Sequence, residues 1–158
     1  MKEPKSLPAD YDEKLMEAEF EEGYKIMCAI NEPFHKKMDT IFKMKKITSY
    51  TFVEKTKLNR QYYSKFRAEG YIPRMDTFIS MCMGLNLDLP TAESLLASMR
   101  LGFDKTDRRH CAYMFLLTHY QGLCIDDCNK ILRKLGFDDE KHLLGTFNKE
   151  DREENKKK

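Results

Sequence analysis

The stretch Thr48 to Gly70, TSYTFVEKTKLNRQYYSKFRAEG, constrains this chain more than any other. It reads as two short helices joined by a tight turn. Thr48 caps the first, Phe52, Val53 and Thr56 give it an inward face, and Leu58 fills the corner. Asn59 is placed to cap the second helix, whose inward face carries Tyr63 and Phe66. Arg60, Gln61, Tyr62, Ser64 and Lys65 are then left pointing outward. That outward set is basic, amide and hydroxyl bearing, as a helix lying in a DNA groove requires.

Charge singles out the same stretch. Residues 1–35 carry 4 basic and 9 acidic side chains, residues 36–74 carry 11 and 3, and residues 75–158 carry 13 and 14. The net charge of +2 therefore hides a strongly basic centre behind an acidic start, the footprint of a nucleic-acid-binding element. At 158 residues the chain is long enough for one domain with extensions. No segment approaches the roughly 18 uninterrupted apolar residues of a membrane span, and the first residues lack a hydrophobic signal core, so a cytoplasmic product without a membrane partner is expected.

The remaining periodicity is helical throughout, and no strand alternation stands out. Asp10 is expected to cap an acidic helix running to about Ile30, with Met16, Phe20, Tyr24 and Met27 on one face. This helix is a candidate for masking the basic stretch or for meeting a protein partner. Asn31 and Pro33 restart the chain as a helix with Phe34, Met38, Ile41 and Phe42 inward. After the break at Tyr71-Ile72-Pro73, an amphipathic helix places Met75, Phe78, Ile79, Cys82 and Leu85 on one stripe. Asp88 caps the next helix, with Ala92, Leu95, Leu96 and Met99 inward and Gly102 as its stop. Thr106 and Asp107 open another helix ending at Gly122, and Asp126 and Asp127 begin the last long one, with Gly136 as its stop. Leu143, Leu144 and Phe147 suggest a short packed ending, and the tail from Asn148 has no apolar residue and reads as disordered. The fold class expected is all-α, with about eight helices.

From about Pro33 to Met99 the helix order resembles the lambda-repressor-like, or Xre-type, helix-turn-helix domain. The resemblance rests on the 48–70 core and on the following IPRMDTFISMCMGLNLDLPTAESLL, with Pro73, Asn86, Asp88, Leu95 and Leu96 in the family's places. The part after Leu95 further resembles a helical extension carried by a bacterial subgroup of such proteins, which takes the likeness to about residue 137. The chain departs from the family pattern at Val53, where a small residue is usual, at Lys57, where glycine is usual, and in its bulky Tyr63 and Phe66. The organisation implied is an acidic N-terminal helix with its lead-in over 1–32, a helix-turn-helix domain over 33–101, a packed helical extension over 102–147, and a charged tail over 148–158.

What the resemblance implies is sequence-specific binding of double-stranded DNA by a transcriptional regulator, as a homodimer. Arg60, Gln61, Tyr62 and Lys65 would face the major groove, with Asn59 and Ser64 beside them. Ser49 and Tyr50 would meet a phosphate. Lys43, Lys45, Lys46 and Arg67 would supply weaker, sequence-independent attraction to the DNA backbone. The rival expectation is a helical interaction module that keeps the scaffold but has lost DNA reading.

Other chemistry finds little support in the residues. His119, Cys124 and Cys128 make a partial zinc set without an evident fourth ligand, and Cys82, Cys111 and Cys128 fall at apolar helical positions expected to be buried. His110 and Cys111 are sequence neighbours whose side chains diverge on a helix. No phosphate loop, paired zinc-binding histidines or serine elbow is present. Neither an enzyme, nor a metal, nor a cofactor is expected.

Overall fold

The computed structural model describes residues 6–28, 32–137 and 143–145. Among them are eight α-helices and no strand: α1 (Glu13–Cys28), α2 (Phe34–Met44), α3 (Ser49–Thr56), α4 (Gln61–Lys65), α5 (Met75–Gly84), α6 (Leu89–Ser98), α7 (Arg108–His119) and α8 (Ile125–Lys134). None of the described helices is long and apolar enough to cross a membrane.

Short side chains start four of these helices, α1, α3, α6 and α7, where the backbone has N–H groups to satisfy. The Thr48 hydroxyl accepts from Thr51 N–H at 3.2 Å while Thr51 Oγ1 accepts from Thr48 N–H at 2.8 Å, a reciprocal capping box. The Asp88 carboxylate accepts from Thr91 N–H at 2.9 Å, and that of Asp107 from Arg109 N–H at 2.8 Å. At the first helix the capping residue is Asp12, which accepts from the Lys14 and Leu15 amides, and not Asp10. Asp10 is spent in a turn closed by Tyr11 N–H on the Pro8 carbonyl at 3.0 Å.

One device ends four of the helices. A residue in the left-handed region lets the next amide reach back five residues: Ile47 to Phe42, Leu87 to Cys82, Leu101 to Leu96, and Phe137 to Leu132, at 2.8–2.9 Å. The left-handed residues are Lys46, Asn86, Arg100 and Gly136. Arg100, with φ +60°, therefore ends α6 before Gly102 is reached.

The core is one continuous cluster of apolar side chains running from Phe34 to Leu144. Its axis is α5, in which every residue from Asp76 to Met83 is buried, so the expected one-sided stripe is in fact a helix enclosed all round. On one side α3 packs against it. A Cβ on Gly84 would stand 2.6 Å from the Lys55 carbonyl oxygen and 2.8 Å from Thr56 Cα, so this close crossing requires glycine. On other sides α7 and α8 pack against α5 through Tyr113, Leu116, Leu117, Cys128 and Leu132.

The chain returns to this core at residues 143–145. Leu143 and Leu144 are buried, and Asn129 brackets Leu144 by accepting from its N–H at 2.8 Å and donating to its carbonyl at 3.2 Å. Gly145 N–H donates to Ser80 Oγ at 2.8 Å, and a Cβ on Gly145 would lie 2.7 Å from Cβ of Lys57.

One apolar face stands exposed, and one burial expectation needs correction. Met16, Phe20 and Tyr24 do share a face of α1, but all three are exposed; among the described side chains of this helix only Glu22 and Gly23 are half-buried. Cys111 is exposed with its Sγ directed to the Lys105 carbonyl at 3.3 Å; the turn before α7, not a neighbouring helix, covers that side. The expectations for Asn31, Met27, Phe147 and the tail 148–158 lie outside the described residues and side chains.

Candidate nucleic-acid interface

The α3–α4 corner is built by local bonds around one buried plug. Thr56 Oγ1 donates to the Phe52 carbonyl at 2.7 Å and accepts from Leu58 N–H at 3.2 Å. Between them Lys57 takes φ +58°, the left-handed turn conformation that glycine usually supplies. Leu58 is thereby driven into the core, and the chain re-enters a helix at Gln61.

Asn59 makes no side-chain cap at α4. The N-cap position falls at Arg60, itself in helical conformation, and the helix opens with tight three-residue turns from Tyr62 N–H to the Asn59 carbonyl and from Tyr63 N–H to that of Arg60, each 3.1 Å. This shifts the buried row of the second helix to Leu58, Tyr62 and Phe66, at four-residue spacing. Tyr62 is fully buried, with its ring near Tyr71 at 6.5 Å between centroids, and does not face outward. Tyr63 instead sits half-buried at the rim, stacked on Phe42 at 5.1 Å and 10°, with its hydroxyl donating to the Ile47 carbonyl at 3.2 Å.

With the phase set in this way, Ser49, Arg60, Gln61, Tyr63, Ser64 and Arg67 line a single open depression. Asn59, Arg60, Gln61 and Ser64 are exposed. An adjoining depression shares Ser64 and Arg67 and adds His35, Lys36 and Asp39 of α2. Tyr50, one residue into α3, stands 76% exposed beside Ser49. Lys65 lies off this surface, its ammonium 4.7 Å from the centroid of the Tyr62 ring. The contribution of α2 was not legible from the 48–70 stretch, since Lys36 and His35 arrive from a helix about 25 residues upstream.

Carboxylates organise the basic groups. Asp39 sits 2.9 Å from Lys43 Nζ and 3.8 Å from Arg67 Nη1, and the hydrogen bond from Lys43 holds its carboxyl below the usual range. Arg67 also stacks over the Tyr63 ring at 4.1 Å and donates from Nε to the Tyr63 carbonyl at 3.2 Å, so its guanidinium is pre-oriented. Lys45 is paired with Glu22 of α1 at 3.3 Å, and Lys46 is exposed at the left-handed end of α2.

The thiols and imidazoles weighed as metal ligands, His119, Cys124 and Cys128, line neither depression. His119 packs its ring on Phe115 at 4.7 Å, Cys124 is exposed, and Cys128 is buried, with burial pushing its thiol up to about 12. Among the described residues no three His, Cys, Asp or Glu side chains gather in a metal-binding group.

No family model, no curated protein and no solved structure matches the chain.

Proposed function

We propose that the chain binds double-stranded DNA sequence-specifically through α3 and α4, as a transcriptional regulator. The observation that carries this reading is the shared depression of Ser49, Arg60, Gln61, Ser64 and Arg67 on the basic side of the molecule. Arg60 supplies a fork for guanine O6 and N7, and Gln61 an amide for adenine N6 and N7. Ser49 and Ser64 offer hydroxyls to phosphate oxygens, while Lys36, Lys46 and Arg67 add attraction that falls with salt. Tyr62 and Lys65 drop out of the reading surface. DNA modules of this kind bind two-fold sites as dimers, and the exposed aromatic group of Phe115, His119 and Tyr120 at the end of α7 is the surface that this reading would use for pairing.

The rival, a helical interaction module that no longer reads DNA, draws on the brevity of α4, which is only 5 residues long. Selection from a random duplex pool at about 150 mM salt, where non-specific attraction is already reduced, separates the two. Enrichment of a short palindrome, lost in Arg60→Ala/Gln61→Ala without a change in thermal midpoint, is the expected result. Retention without enrichment, or no retention, overturns the reading.

A further inference from the structure

The first half of α1 has no buried or half-buried residue. Every residue from Leu7 to Glu21 is exposed, and among the described side chains of α1 only Glu22 and Gly23, beyond that point, are half-buried. Yet this segment carries large apolar side chains in a row, Leu15, Met16 and Phe20, with Leu7 and Tyr11 leading in and the Phe20 ring stacked on Tyr24 at 6.0 Å. Phe20 is 62% exposed. A helix of two to three turns is marginal in water unless an apolar face is packed.

Charge decides what can pack there. Glu13, Glu17 and Glu21 repeat every four residues, each three positions before Met16, Phe20 and Tyr24, so an acidic rail runs beside the apolar row. Residues 10–22 hold seven acidic side chains and one lysine. Nucleic acid and anionic lipid are repelled by such a surface. A second copy of α1 would set two acidic rails against each other. The basic depression of a second copy has the right charge, but its one aromatic lining residue, Tyr63, is half-buried, and Ser49, Arg60, Gln61, Ser64 and Arg67 offer no apolar row to cover Phe20. We propose that Leu15, Met16 and Phe20, flanked by Glu13, Glu17 and Glu21, dock a basic amphipathic helix of another protein, apolar row on apolar row and lysines or arginines against the carboxylates.

The inference does not rest on DNA binding. Two labelled synthetic helices with the same leucine row, one railed with lysine and one with glutamate, test it against the full chain by fluorescence anisotropy and amide hydrogen exchange. The lysine peptide is expected to bind about tenfold tighter than the glutamate peptide, the sum of a few modest exposed ion pairs, and to slow exchange over residues 15–24. Glu13→Lys/Glu17→Lys/Glu21→Lys is expected to invert the preference, and Phe20→Ser to abolish binding of both peptides, with unchanged thermal midpoints because all four side chains are exposed. Equal binding of the two peptides, or unaltered exchange in α1, overturns the proposal. So does concentration-dependent self-association that protects the same amides, which would make a second copy the occupant.

Discussion

Lys57 sits where the chain must turn left-handed between α3 and α4, with φ +58°, a conformation that costs a residue with a Cβ about 1–2 kcal/mol. Only glycine at 145 leaves room for its Cβ, since a Cβ added there would stand 2.7 Å from it. Lys57→Gly should relieve the backbone strain, offset in part by the greater freedom of glycine in the unfolded chain, and raise stability by about 0.5–1 kcal/mol in urea unfolding. A loss of stability would show that the lysine stem packs usefully. Five residues on, Tyr62 offers the opposite case. It is fully buried, so Tyr62→Ala should cost about 3–5 kcal/mol, and a DNA-binding defect in that variant would follow unfolding instead of lost base contact. Calorimetry alongside the binding assay distinguishes these. The sequence made Phe52, Leu58 and Phe66 legible as core because aliphatic and phenyl groups have one good environment. It put Tyr63 inward and Tyr62 outward, the reverse of the burial found, since a tyrosine suits either side and a helix of 5 residues is too short for periodicity to fix its phase.

At the scale of elements, the starts of α3, α6 and α7 were readable because each cap is a bond between residues two or three apart. The return of residues 143–145 to the core was only half readable: two leucines announced an apolar ending, but its anchors are Asn129 and Ser80, 15 and 65 residues away. Asn129 is buried and serves both backbone groups of Leu144. Asn129→Ala would leave a buried N–H and a buried carbonyl without those bonds, at a cost of about 2–4 kcal/mol. Asn129→Asp keeps the acceptor but not the donor and should also destabilise. Denaturant midpoints measure both, and an alanine variant within about 0.5 kcal/mol of wild type would mean that water replaces the side chain. On α1 the periodicity was legible and the burial was not. A regular apolar row says that a helix has a face to cover, and is silent about which molecule covers it.

Over the whole molecule, the chain divides its charge between an acidic start and a basic centre, and the structure joins the two through the Glu22–Lys45 ion pair. The remaining carboxylates of α1 project into solvent, so their effect on a nucleic acid is long-range repulsion and not a covering of the α3–α4 surface. Removing residues 1–21 takes away seven acidic and three basic side chains and leaves Glu22 in place. Because Leu7–Glu21 are all exposed, the thermal midpoint should move by no more than about 2 °C. DNA affinity should rise several-fold at about 50 mM salt, and the gain should shrink toward nothing near 200 mM, as screening shortens the reach of the deleted charges. The plot of log affinity against log salt should therefore steepen. A gain that persists at high salt would mean that α1 contacts the DNA-binding surface directly, and the ion pair at Lys45 would be the place to break it. No gain at low salt would show that the acidic segment lies too far from the bound phosphates to matter.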